Sequence, residues 1–222
     1  MSKPSWAEVI RIIGGTTILA VALVAVPPVV RALKSEAPDT EAWFFGPASA
    51  RWLITEYADL ECPYCRAYTP ELKRWVSQQP DVKLKWHHFP LQDHGFAAER
   101  EARLVECAGQ LGGAEAFWTA IDQVLLHSRG NGQGLAAEIE VGTIPSDTLR
   151  NCADTDRDVA SQVFQQRSDA QHRGIVATPT LEITDTLTGH SMRLEGAVDE
   201  VTLLSAMDGL AAQGGSQGEP VQ

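Results

Sequence analysis

The chain has 222 residues, is 44% hydrophobic and carries a formal net charge of −11. That length suits one domain of ordinary size with an insertion or a tail, and the apolar content excludes wholesale disorder. Lys3, Arg11, Arg31 and Lys34 outnumber Glu8 by three in residues 1–34, which leaves −14 for the remainder. A body that acidic does not hold a phosphate backbone by electrostatics, so nucleic acid is not an expected partner.

Residues 12–30 contain no charged residue, with basic residues on both sides. As a helix this stretch is about 28 Å long, close to the roughly 30 Å hydrocarbon core of a bilayer. An uncleaved membrane anchor over residues 1–34 is therefore expected, spanning at 12–30. The alternative is a cleaved signal with Ala20-Val21-Ala22 as its small-residue site. Either reading carries the rest of the chain out of the cytoplasm.

Residues 35–50 read as a linker ending in docking aromatics at Trp43 to Phe45. Trp52 to Tyr57 is β-branched and aromatic, which predicts a buried strand. A helix follows from Pro63 to about Gln78, stopped by Pro80. Val82 to His88 alternates as a strand, with Lys83, Lys85 and His87 on one face and Leu84 and Trp86 on the other. Strand, helix, strand is a βαβ unit. Residues 96–173 are helical in pattern, with breaks at Gly112-Gly113, at Gly130 to Gly134 and at Pro145, and Ser146 is the expected N-cap of the next helix. Strands return at Thr180 to Thr184 and Ser191 to Leu194 around a turn at Thr188-Gly189, and a last helix spans Asp199 to Ala212. Residues 213–222 read as a disordered polar tail. This order predicts an α/β, thioredoxin-like fold over 51–212 with an inserted helical subdomain at about 95–174, preceded by a transmembrane helix.

The chemistry concentrates in Glu61-Cys62-Pro63-Tyr64-Cys65, between a strand end and a helix start. A helix N-terminus presents unpaired N–H groups and a partial positive charge. A thiolate placed there is stabilised, and its pKa falls to roughly 3.5–7.5 from about 8.5. Pro63 suits the first helical turn, where its missing N–H costs nothing. Cys62, the outer sulfur, is expected to form the mixed disulfide with substrate, and Cys65, one turn further in, to resolve it. A zinc site would need two more ligands. The candidates are His87, His88 and His94, but the adjacent pair on a strand points to opposite faces, so zinc is not expected, and no other cofactor is either. A purely structural disulfide is the bland alternative.

The stretch from Phe45-Gly46 through Trp75, centred on WLITEYADLECPYCRAY, resembles the opening of the DsbA-like thiol–disulfide oxidoreductases. So do His88-Phe89-Pro90-Leu91, Glu106-Cys107-Ala108, Phe117-Trp118 and Gly174-Ile175-Val176-Ala177-Thr178-Pro179-Thr180. The resemblance runs from about residue 43 to about 210 and leaves the N-terminal segment out. It implies that Thr178-Pro179 is a cis-proline loop beside the dithiol, offering a main-chain edge to an extended polypeptide. Pro63, Tyr64, Thr178 and Pro179 are thus the expected substrate-contacting surface. It implies that Glu56 is a buried acid serving the inner cysteine, with Lys85 as its basic partner. Some members carry a second, structural disulfide in the helical subdomain, here Cys107 with Cys152; two buried free thiols are the other reading.

Two departures bear on direction. Tyr64 stands where oxidising members often have a histidine, and Thr178 before the proline is common among reducing or isomerising relatives. Dimeric isomerases carry a separate dimerisation domain, for which residues 35–50 leave no room. The expected activity is a monomeric oxidase for unfolded exported polypeptides, reoxidised by a membrane redox partner. A reductase or isomerase on the same scaffold, or a non-catalytic client-binding chaperone, are the alternatives.

Overall fold

The computed structural model describes residues 43–215. The expected anchor at 12–30 lies outside the described residues, as do residues 216–222 of the expected tail. Among the described residues no helix is long and apolar enough to cross a membrane.

Ten principal elements follow in chain order: β1 (Phe44–Phe45), β2 (Trp52–Ala58), α1 (Pro63–Ser77), β3 (Val82–His88), α2 (Gly95–His127), α3 (Ser146–Thr155), α4 (Arg157–His172), β4 (Thr180–Asp185), β5 (Ser191–Glu195) and α5 (Glu200–Gly215). The sheet order is β1-β3-β2-β4-β5. β2 and β3 run parallel across the α1 crossover, as a βαβ unit requires, and the other pairs are antiparallel. The central strand β2 is buried from Ile54 to Ala58 because it is paired on both sides and covered on both faces.

Register sorts the side chains. Ile54, Glu56 and Ala58 share a face with Leu84, Trp86 and His88, since Ile54 pairs with Leu84 and Glu56 with Trp86. That face packs the main core, in which Leu72 and Val76 of α1, Val105 and Ile121 of α2, Ile183 of β4 and Leu203 of α5 are buried. Tyr57 and His87 point the other way. There Tyr57, Phe89, Ala170 and Ile175 form a second, smaller cluster, and His87 Nε2 lies 2.8 Å from the Gln166 carbonyl of α4.

The expected linker is shorter than the sequence suggests, because Phe44 and Phe45 pair with Lys85 and Leu84 as an edge strand. Two residues carry no periodicity, so nothing in the pattern could reveal β1. The docking of its aromatics was legible. Trp43 stacks 6.0 Å from Phe117 and Phe45 lies 5.5 Å from Trp118, while the Trp118 indole N–H donates to the Trp43 carbonyl at 3.0 Å. Gly109 of α2 makes this fit possible, since a Cβ there would lie 2.6 Å from the Trp43 ring.

The insertion holds three helices. α2 breaks its regular backbone at Gly113 (φ 74), in the conformation that glycine takes without steric cost. Pro145, not Ser146, occupies the N-cap of α3; Ser146 is already helical, and its hydroxyl donates to the Ile139 carbonyl. Asp156 caps α4 by accepting from the N–H groups of Asp158 and Val159. Asp199 accepts from the Thr202 N–H at 2.8 Å at the start of α5, and that helix continues to Gly215, through the first residues of the expected tail. Cys107 on α2 and Cys152 on α3 are bonded as a disulfide.

A cross-link over 45 positions removes unfolded-state freedom amounting to roughly 2–4 kcal/mol. The double substitution Cys107→Ala, Cys152→Ala is expected to lower the unfolding free energy by that amount, read as a lower denaturant midpoint with a steeper slope as the unfolded chain expands. An unchanged midpoint would show that packing alone holds α3 on α2.

Candidate active site

The turn between β2 and α1 is built on Asp59. Its buried carboxylate accepts from the Glu61 N–H (2.7 Å) and the Leu91 N–H (2.7 Å), and lies 2.8 Å from His94 Nδ1. These contacts aim the chain so that Cys62 becomes the N-cap of α1, extended at φ −77, ψ 120, with Pro63 next to it in the first turn. Cys62 is buried but for 4% of its surface, Cys65 is fully buried, and Tyr64 between them is 73% exposed. Both cysteines are free thiols.

Across from them the Thr178–Pro179 peptide is cis. Its Thr178 carbonyl lies 3.5 Å from Cys62 Sγ and accepts the thiol proton. The Thr178 hydroxyl is buried with no other partner, so it is available to donate to a thiolate at Cys62.

The Cys62 pKa is lowered to about 5, first by the hydrogen bond from the Cys65 thiol, then, against the opposing cost of burial, by Thr178 and by the N–H groups of Cys65 and Tyr64. Cys65 moves the other way, well above its ordinary value, chiefly through burial, then through Cys62 and Glu56. One sulfur is therefore an anion at neutral pH and the other a thiol, the division that directional exchange requires.

Glu56 is fully buried on the α1 face of the sheet. The Thr69 hydroxyl donates to its Oε1 at 2.7 Å, and Oε2 has no partner. Burial, first of all, pushes its pKa up to about 8. The carboxyl is thus neutral at pH 7 and carries its proton within electrostatic reach of both sulfurs.

The family model described as Thioredoxin matches residues 39–200. The chain belongs to the thioredoxin family. Within that superfamily it is DsbA-like: it is 52% identical to the crystal structure of Pseudomonas aeruginosa DsbA2, over 76% of this chain and 93% of that one, with a TM-score of 0.73. The thiol-disulfide exchange protein alpha-DsbA2 of Wolbachia pipientis shares the fold at 18% identity, with a TM-score of 0.62 over 78% and 88% of the two chains. Curated relatives include the Na(+)/H(+) antiporter NhaA 3 of Salinispora tropica, 37% identical over 82 residues, and NhaA of Herminiimonas arsenicoxydans, 29% identical over 171 residues. The matches cover only 12% and 24% of those proteins, so ion transport is not carried over.

In this thioredoxin-family chain the expected acid and cis-proline loop lie at the dithiol, the Cys107–Cys152 bridge lies in the helical insertion, and Lys85 is not at the site. Lys85 pairs with Thr55, one position off Glu56, so its side chain leaves the opposite face of the sheet. The cation that acts on Glu56 is Lys73 of α1. Its ammonium reaches Asp122 at 2.6 Å and lies 5.1 Å from the centres of the Phe45 and Trp118 rings. The missed signal was a spacing of four. Cys65, Thr69 and Lys73 fall on one stripe of α1, and Thr69 and Lys73 are buried on a face that packing alone would make apolar. The sequence reading also passed over Asp59, Glu61 and Glu101, three buried acids around the cysteine turn.

Lys73→Met is expected to raise the Glu56 ionisation further above pH 8, and Lys85→Met to leave it in place, as read from the Glu56 carboxyl carbon resonance. Equal shifts would overturn the assignment. Because the folded value lies above the unfolded one, the stability associated with neutral Glu56 is complete below pH ~4.5 and is lost as pH rises through about 8. Glu56→Leu should therefore stabilise the reduced protein at pH 9, by on the order of 1–4 kcal/mol, and much less at pH 4.

Proposed function

We propose that the chain is a protein thiol–disulfide oxidoreductase that works in the oxidising direction, passing the Cys62–Cys65 disulfide to unfolded exported polypeptides. What supports this reading is the place of Cys62 at the N-cap of α1 opposite Thr178, where the Cys65 thiol, Thr178 and the first N–H groups lower its pKa to about 5. A low-pKa sulfur is a good leaving group, and a reduced form stabilised by its thiolate makes the disulfide a strong oxidant.

The exchange runs in two steps. A client thiolate attacks Cys62 of the disulfide; a client–Cys62 bond forms, the Cys62–Cys65 bond breaks, and Cys65 leaves as a thiolate. Its high proton affinity draws a proton, and neutral Glu56 is placed to supply it. A second client thiolate then attacks the client sulfur of the mixed disulfide and expels Cys62 as a thiolate. The client loses two electrons, and the protein gains them with one proton at neutral pH. A membrane redox partner returns it to the disulfide.

The Thr178–Pro179 loop supports main-chain recognition of the client, since its carbonyl edge faces Cys62. Exposed Tyr64 supports a sequence-tolerant apolar contact beside the sulfur. The absence of a histidine at position 64 is offset by Thr178 and the first N–H groups of α1, which supply the hydrogen bonds a cation would otherwise reinforce. The proposed arrangement is a monomer on the outer side of the membrane, tethered by or released from residues 12–30.

The couple should equilibrate with glutathione at a potential above about −180 mV, on the oxidising side of protein disulfide isomerase. Between pH 5.5 and 7.5 one proton accompanies two electrons, so the potential should fall by about 30 mV per pH unit, and twice as steeply below pH 5. A potential below about −250 mV would assign the chain to reduction instead.

A further inference from the structure

Outside the dithiol, a pair of acidic side chains is buried with no ion pair to either among the described residues. Glu61, the residue before Cys62, is fully buried and Glu101 of α2 is 3% exposed. Glu61 is well supplied with donors: the Ser128 hydroxyl reaches Oε1 at 2.7 Å and the Gly134 N–H reaches Oε2 at 3.1 Å. Glu101 has none, for no N–H or O–H group of the described residues reaches either of its oxygens. The group its carboxyl meets is the carboxyl of Glu61. Two carboxylates cannot share a dry contact as anions; such a pair keeps one proton between them. Donor supply decides where it resides. Glu61 is the anion and Glu101 the acid that donates to it.

This contact governs a loop. Residues 128–134 connect to α1 almost wholly through residue 61. Its side chain takes Ser128 and Gly134, and its carbonyl accepts the Asn131 N–H at 2.8 Å. Arg66 of α1 adds one strap, donating to the Ser128 carbonyl at 2.6 Å. The Glu61 N–H is held by the Asp59 side chain and the Cys62 N–H by the Asp59 carbonyl at 3.1 Å, so the peptide entering Cys62 is fixed at both its carbonyl and its N–H.

We propose that Glu101 is a positioning residue for Cys62: its protonated carboxyl completes the Glu61 anion, and the pair clasps loop 128–134 against the first turn of α1 so that the sulfur stays on the helix N–H groups. The proposal rests on the reading of Cys62 as the exchanging sulfur. The charged groups that face Glu101 agree with a retained proton. Asp59 and Glu61 oppose its ionisation and Arg100, itself held by Asp154, favours it, while His94 is engaged by Asp59. Burial, then Glu61, push the Glu101 pKa up to about 9. Above that pH the two carboxylates repel, and the clasp opens.

The test uses the full-length reduced chain, Glu101→Gln and Glu101→Leu. The amide of Glu101→Gln donates to Glu61 at every pH; the side chain of Glu101→Leu donates at none. Protection factors of the Asn131 and Gly134 amides should fall at least tenfold between pH 7 and pH 10 in the wild type, stay within threefold in Glu101→Gln, and be at least tenfold lower already at pH 7 in Glu101→Leu, as the loss of a hydrogen bond to a buried charge implies. The pH profile of Cys62 alkylation should shift upward in Glu101→Leu and return to the wild-type position in Glu101→Gln, a pattern that general loosening would not give. Equal wild-type protection at both pH values, a Glu101→Gln loop as open as that of Glu101→Leu, or an unmoved alkylation profile would each overturn the proposal. Amide protection is read without thiol exchange, so an inert Cys62 on a chain whose loop behaves as stated would count against the redox reading alone.

Discussion

The first-turn N–H groups of α1, directed at the Cys62 sulfur, are the constraint on which the site depends. They are free because a helix begins there, and the helix begins there because Pro63 cannot donate and Asp59 turns the chain at the end of β2. The Cys65 thiol and Thr178 then add hydrogen bonds to the same sulfur. Moving the helix start by one residue would place a different side chain over those donors. Much of the buried polarity of the protein serves to hold this one turn in place.

Around that turn charge is arranged by burial more than by ion pairing. Glu56, on the α1 side, keeps its proton because the core denies it water, and its cationic neighbour Lys73 is itself held by Asp122 at the protein edge. His88 shows the same principle further away. It accepts from the Trp86 indole at Nδ1, which leaves its proton on Nε2, 3.5 Å from Glu106. Glu106 in turn takes Trp43 and Gln166. The sheet and the helical insertion are thus joined by hydrogen-bonded polar groups in a low-dielectric seam.

The βαβ unit, the helix breaks at Gly113 and Pro145 and the cysteine turn were legible in the sequence because each is a local event: a period, a φ angle, a cap. β1 was not, since two residues make no pattern. Lys85 was placed by resemblance beside Glu56, although the alternation of Val82 to His88 already set it on the face opposite Leu84 and Trp86. Register, which no single strand contains, decided against it. Glu61 and Glu101 were invisible for a related reason. They are 40 positions apart in the sequence, and only tertiary packing reveals that they meet.

Cys62 and the Thr178 carbonyl are 116 positions apart, and β4, which completes the central strand β2, follows the whole insertion. A chain emerging from its N-terminus therefore presents the reactive sulfur long before the segment that covers it has been made. Formation of the sheet centre waits for non-local pairing, the slow kind. For that interval the nascent molecule is itself an unfolded polypeptide with accessible thiols, open to exchange with other copies before its own cover exists.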